Sequence, residues 1–575
     1  MNRRSFLLST AGAIGAATVA PRLLGATAPE RDPIVLTLIR ANDDLVRRYL
    51  PRQERRTGHR WLGGIPDEYG IFTARAAGHF IVTLVCAVYS RESAYYQADS
   101  LLEPLRLASR CLLAAQHEDG TTDLPATNFH STPDTAFTLE SVGPAIVIIQ
   151  NGKWAPGEAL LADLKVFALK AGDAFATGGI HTPNHRWVVC AALARLQVLF
   201  PNSKYVARID QWLAETVDID PDGQFTEKST SVYSPVVDQA LLTVARLLDR
   251  PELIEAVRRN LEMTLFYVHP DGEVVTEASK RQDKYQRGSM SRYYYSYRWL
   301  ALRERSSRFA AMARQIERTA AAQLAGDLPA FLEDPTLQRP MPESAPLPTD
   351  YVKHFSFSAL ARIRRQDISA TILAENSTLF SLRKGTAALE AVRFASAFFG
   401  KGQFVGEKLE VRDGRYVMRQ TLDGPYFQPL TKAQLDADGG HVKLTPNGTL
   451  AASTRALRAR SNVQALESVA TITETAGKFE IAISITGTDQ VPVAIELAFR
   501  HDGELRGVEP VAGLKDAFLL RRGRGQYVQG GQVIEFGPGH GEHTWTQLRG
   551  ALPKWDGQSV YLTGFTPFKA TIQIS

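Results

Sequence analysis

The sequence predicts an α+β chain: an N-terminal α/α toroid, an incomplete barrel of helical hairpins, followed by a C-terminal antiparallel β-sandwich. Three observations predict it. Residues 32 to about 325 carry apolar positions at helical spacing, as in IVLTLIRANDDLVRRYL and SPVVDQALLTVARLLD. Breakers recur along that stretch at Gly63-Gly64, Asp119-Gly120, Gly178-Gly179, Asp222-Gly223 and Asp271-Gly272. Beyond a proline-rich break the text changes to short alternating segments bounded by turns, such as KLEVRDGRYVMRQTL and KFEIAISITGTDQVPVAIELAFRHDGEL.

Residues 1–28 are set aside first. Arg3-Arg4, then Ser5-Phe6-Leu7 and an Ala- and Gly-rich apolar stretch, resemble a twin-arginine export signal, with Ala26-Thr27-Ala28 as an A-x-A cleavage site. The expected location is therefore periplasmic or secreted. Residues 29–326 are the toroid. Breakers spaced about fifty residues apart fit one helical hairpin per repeat, whose apolar face needs a neighbour. An open solenoid is the alternative packing; five or six units argue for a ring, with the Asp-Gly loops collected at one mouth. Residues 327–349, rich in proline and without helical period, are expected to be a linker. Residues 350–575 are the sheet domain, with Asp413-Gly414 and Asp502-Gly503 as hairpin turns.

The 575 residues, 44% hydrophobic and 22% charged, have an ordinary globular composition. A net charge of +5 without a basic arm gives no reason to expect nucleic acid, though it suits an acidic polymer. After the N-terminal segment no run is long and apolar enough to span a membrane, so no membrane partner is expected. Cys86, Cys111 and Cys190 lack metal-ligand spacing and are expected to be buried thiols. His540, Glu542 and His543 in HGEHTW form no recognised zinc signature, so no metal site and no cofactor are assigned. A structural divalent ion stays open, as does the oligomeric state.

Three polar clusters fall at hairpin loops: Asn128, His130, Asp134 and Glu140; then His181, Asn184 and His185; then Glu227, Lys228, Thr230 and Tyr233. If the loops share a mouth, these groups converge. They match what β-elimination from a uronic acid requires. The C5 proton becomes removable only when the adjacent carboxylate is neutralised, which an amide and an imidazole can do by hydrogen bonding. A Tyr or His can then take that proton, and a Tyr hydroxyl can pass one to the leaving O4 oxygen.

The Asn-His pair leading a helix, the string Glu227-x-x-Thr230-Ser231-x-Tyr233-Ser234 after an Asp-Gly loop, and a helical half before a β half resemble polysaccharide lyases of the alginate lyase and heparinase II/III-like group. The resemblance implies that Asn184 neutralises the carboxylate, that His185 assists it or acts as base for one epimer, and that Tyr233 is base and acid. It implies that Glu227 orients the Tyr loop or a nearby base, and that an acidic polysaccharide or oligosaccharide is the partner. Such relatives carry a His-rich stretch early in the β domain. Here RFASAFFGKGQFVGEKLEV has none, which leaves Arg393, Lys401 or Lys408 in that role or a sheet that only binds substrate. In SKRQDKYQRGSMSRYYYSYRW the mixture of arginines and tyrosines suits an anionic glycan, and Arg292 and Tyr293 are the contacts chosen, with Asn128, His130 and Glu227. Two alternatives stay open: a glycoside hydrolase pairing Asp134 or Glu140 with Glu227 or Asp238, and a non-catalytic glycan-binding protein.

Overall fold

The computed structural model describes residues 31–437, 444–449 and 453–575; the segment 1–28 lies outside them. The helices are α1 (Ile34–Tyr49), α2 (Ala74–Tyr89), α3 (Leu102–Ala114), α4 (Thr132–Asn151), α5 (Gly157–Thr177), α6 (Pro183–Leu199), α7 (Ser203–Leu213), α8 (Tyr233–Leu247), α9 (Glu252–Thr264), α10 (Tyr294–Glu304), α11 (Ser307–Ala320) and α12 (Leu328–Glu333). They pack as two layers. Helices α2, α4, α6, α8 and α10 run side by side as an inner ring, and α3, α5, α7, α9 and α11 cover them outside. Sequence pattern sorts the layers: α7 buries only Tyr205 and Ile209, whereas every residue of α6 from Asn184 through Leu196 is buried. A helix apolar on one stripe sits on a surface; one buried all round sits between neighbours.

Because each hairpin returns to its starting end, the inner helices all begin at one mouth. The glycine of the loop before each ring helix packs against an outer helix. A Cβ at Gly120 would lie 2.1 Å from the Lys170 carbonyl oxygen, and one at Gly223 would lie 2.4 Å from that of Arg259. Both have positive φ, which only glycine adopts freely.

The stretch 327–349 departs from the expected linker. It contains α12 and a further turn at Pro335–Gln338, with Leu328, Phe331 and Leu337 buried. Pro329 sits in the first helical turn, where no N–H donor is needed. Helix α12 packs on α1, α2 and α4, and its Glu333 accepts from Arg195 of α6 at 2.8 Å and Arg246 of α8 at 3.0 Å. It thereby closes the end of the toroid opposite the mouth.

From Asp350 onward a ten-stranded and an eight-stranded sheet face each other. Their inner faces share one core; the Phe380 and Phe479 rings meet at 5.0 Å across it. Paired strands are antiparallel, except that Ala517–Leu519 runs parallel to Gln558–Phe565. Asp413-Gly414 does turn a hairpin between Glu410–Arg412 and Arg415–Phe427. Asp502-Gly503 does not. It carries the chain from Pro492–Phe499 in the larger sheet to Glu504–Arg506 in the smaller.

The larger sheet also docks on the toroid through a buried polar network. Glu277 accepts from Thr371 (2.7 Å) and Ser381 (2.6 Å), and Arg362 donates to the Phe266 carbonyl at 2.9 Å. Among the described residues no helix is long and apolar enough to cross a membrane.

Candidate active site

Asn184 is the second residue of α6, behind Pro183, and Tyr233 opens α8. Both stand at the mouth because their helices belong to the inner ring. The loop before Tyr233 is tied down from several sides. Its Ser229 hydroxyl accepts the Tyr233 N–H at 3.0 Å, Asp283 accepts from the Ser231 N–H and hydroxyl, and Ser279 accepts the Thr230 N–H. Lys228 there adopts a left-handed backbone, φ +48°, rare for a residue with a side chain.

Asn184, Glu227, Arg281 and Tyr233 form a continuous chain. Glu227 Oε2 accepts the Asn184 backbone N–H at 3.0 Å and its side-chain amide at 2.6 Å. Glu227 Oε1 faces the Arg281 guanidinium at 3.7 Å, and that guanidinium lies 5.2 Å from the centre of the Tyr233 ring. The Gln282 amide donates to the Tyr233 hydroxyl. Two of the sequence-selected features, the Asn-His pair and the Tyr233 loop, thus meet through residues the spacing did not single out, Arg281 and Gln282. Burial pushes the Glu227 carboxyl up, against the hydrogen bonds from Asn184.

Asn184 itself is only 1% exposed. Its amide also donates to Thr182 at 3.2 Å, and its carbonyl oxygen has no partner among the described residues. His185 is packed edge-on to His181 at 4.6 Å and to Phe137 at 6.0 Å. Desolvation, with His181 and Arg281 adding positive charge, pushes its pKa down to about 4. The imidazole is therefore neutral at ordinary pH, and its Nδ1 has no partner among the described residues.

Beneath these groups lies a cavity of about 450 Å³, lined by Arg75, His79, Phe137, Val188 and Val236 and floored by Glu140, Arg195 and Glu333. Val188 and Val236 follow Asn184 and Tyr233 by one helical turn, so the cavity descends from the site towards α12.

The remaining sequence-selected residues divide. Asn128 donates to Asp134 at 2.8 Å and so supports the mouth of α4. His130 is exposed, stacked on His117 at 4.0 Å and bonded to Asp119 at 2.7 Å, which pushes its pKa up. Arg292 is exposed and lines a separate cavity with Ser231, Asp271 and Glu273. Tyr293 must be corrected. It is fully buried, and its hydroxyl donates to the Thr230 carbonyl at 2.6 Å, so it braces the Tyr233 loop and cannot touch a glycan. Spacing alone does not tell which face of a tyrosine-rich turn points inward.

The β half reaches the site as a buttress. Asn376 accepts from Lys284 at 3.0 Å and from the Tyr285 hydroxyl at 3.1 Å, and Lys280 pairs with Glu375, so the sheet holds the loop that carries Arg281 and Gln282. Arg393 is buried against Glu496, and Lys401 pairs with Asp423 on the sheet surface. Neither reaches the mouth. His543 gives its Nε2 to two backbone carbonyls, and among the described residues no cluster of His, Cys, Asp or Glu side chains is arranged to hold a metal ion. The three cysteines are free and buried, and burial pushes the Cys111 and Cys190 thiols up to about 11 and about 12.

Solved structures share this architecture. Heparinase III superposes with a TM-score of 0.55 at 10% identity, covering 97% of this chain and 87% of its own. A chondroitin AC lyase of Streptomyces coelicolor A3, solved in complex with chondroitin sulphate, gives 0.53 at 14%, covering 95% and 80%. A Paenibacillus xanthan lyase gives 0.55 at 9%, covering 94% of this chain and 57% of that longer one. The chain has the fold of polysaccharide lyases. No protein-family model and no curated protein matches the sequence. The lyase fold settles the ring against the open solenoid, and the toroid mouth is where its inner helices present Asn184, His185 and Tyr233.

Proposed function

We propose that the protein is a polysaccharide lyase that cleaves a uronic-acid-containing glycan by β-elimination. The observation that carries this reading is the Tyr233 phenol, open at the mouth beneath a guanidinium and bonded to an amide donor, and linked through Glu227 to the Asn184-His185 pair. Both the Arg281 cation and the Gln282 N–H stand where charge develops when the phenol oxygen gives up its proton. Tyr233 in that form takes the C5 proton. The C5 electrons form the C4–C5 double bond, the bond from C4 to the glycosidic oxygen breaks, and the phenol returns a proton to the leaving oxygen.

The uronate carboxylate must be neutralised meanwhile. Neutral His185 with its uncommitted Nδ1 serves this, together with Asn184, whose amide exchanges its longer bond to Thr182 for a substrate oxygen while Glu227 keeps it aimed. Glu227 acts as a positioning residue, holding Asn184 on one side and Arg281 on the other. The elimination itself calls for no cofactor, and the twin-arginine-like start of the chain supports a periplasmic or secreted setting.

A hydrolase on the same toroid gains nothing from the geometry. Asp134 is held by Asn128 and Ser131, and Glu140 by Arg195. Asp238 is sealed without a partner among the described residues, and burial pushes its carboxyl well above the usual carboxylate range.

The test is to incubate the purified protein with acidic polysaccharides and follow the ultraviolet absorbance of 4,5-unsaturated uronates. Tyr233→Phe should reduce the rate by roughly 10²–10⁴-fold without changing the melting temperature. Cleavage that leaves only saturated ends would overturn the reading.

A further inference from the structure

Arg75 is the second residue of α2, at the mouth, and the sequence pattern gives no sign of it. Its guanidinium lies 4.5 Å from the centre of the Phe137 ring, and that ring also meets His185 edge-on at 6.0 Å. One aromatic ring therefore separates Arg75 from the elimination site. Among the described residues Arg75 makes no hydrogen bond and no ion pair. Asp134, the acid that acts on it, is already held by Asn128 at 2.8 Å and by Ser131 at 2.5 Å. Arg292, also unpaired among the described residues, adds a like charge nearby.

This is an expensive place for a cation. Protein crowds the guanidinium, and desolvation holds its pKa below the ordinary value. The first turn of a helix also disfavours positive charge, because the helix dipole is positive there. The Arg75 side chain is exposed at the wall of the cavity below the site, with no carboxylate paired to it among the described residues. The same N-terminal dipole and the same planar fork of donors favour an incoming oxyanion. With about 450 Å³ beside it, that oxyanion can be carried on a whole sugar.

We propose that Arg75 binds a second oxyanion of the glycan, a carboxylate or a sulfate on the sugar adjoining the one that reacts. Arg75 is then a specificity-determining residue, and the substrate is charged on both sugars. The inference rests on the lyase reading, but its test is separable.

Initial rates of the unaltered protein, Arg75→Gln and Arg75→Lys are measured on polyglucuronate, chondroitin sulfate and chemically desulfated chondroitin, with melting temperatures as a check on folding. For each polymer that is cleaved, Arg75→Gln should raise KM by about tenfold or more with kcat within about twofold, and Arg75→Lys should recover part of the loss. The increase should shrink as salt is added. If the effect is confined to the sulfated polymer, the oxyanion is sulfate; if it persists on the others, it is the neighbouring carboxylate. A KM for Arg75→Gln within twofold of the unaltered protein on every cleaved polymer overturns the inference. If the unaltered protein cleaves none of them, the lyase reading fails. The inference is then read by titrating both proteins with polyglucuronate oligosaccharides and with inorganic sulfate: weaker binding by Arg75→Gln supports it, and equal or absent binding overturns it.

Discussion

His185 combines burial with a neighbouring imidazole, so its ring resists protonation down to about pH 4, against 6.5 for an unperturbed histidine. As pH falls between those values the unfolded chain takes up the proton and the folded one does not, so stability present above about pH 6.5 is lost towards pH 4. The loss attributable to this one ring is about 3 kcal/mol. Urea unfolding at pH 4.5 and pH 7 measures it, and His185→Gln should remove that part of the difference; an unchanged pH dependence in the variant would show that other groups carry it. The residue types needed for carboxylate chemistry were legible at Asn184, His185 and Tyr233, because amide, imidazole and phenol in loops before apolar helices have few purely structural uses. Arg281, Gln282 and Arg75 were not. Arg281 and Gln282 are two polar residues among many in a loop, Arg75 heads an otherwise apolar helix, and only the fold says which of them stand near the site.

Helical hairpins repeat here because a loop glycine lets each loop settle on an outer helix. Gly223 has φ +99° and no room for a methyl group beside the Arg259 carbonyl, whereas Gly70 has φ +81° with open space around it. Gly70→Ala should therefore cost about 1 kcal/mol, from backbone strain alone, and Gly223→Ala clearly more, since the loop must also move off the helix. Thermal unfolding of the two variants compares them directly. Equal losses would mean that the close approach to α9 contributes nothing. The Asp-Gly spacing made these loops readable as repeats. It did not reveal α12, because six residues with a proline in the first turn carry too little periodicity to stand out within a proline-rich stretch.

The two halves are joined around Glu277, which bonds to strands of the sheet and sits 3.6 Å from His269 of the toroid. Burial alone would raise its carboxyl, but His269, Arg383 and Arg362 outweigh that and hold it well below the usual range. Glu277→Ala leaves the Arg362 and Arg383 guanidinium groups without that carboxylate in a dry interface and should destabilise the protein by roughly 3–5 kcal/mol. Because the sheet also braces the Arg281 loop, activity should fall at temperatures well below the main unfolding transition. A melting temperature and temperature–activity profile like those of the unaltered protein would refute this coupling. By itself the sequence determined the order of the halves, the repeat of helical hairpins and the residue types at their loops, since periodicity and turn chemistry are local properties of the chain. Only the tertiary structure decided that Tyr293 faces inward, that Asn184 is already engaged by Glu227, and that Arg75 stands without a partner. Burial and pairing depend on which distant segments meet, and no local pattern records that.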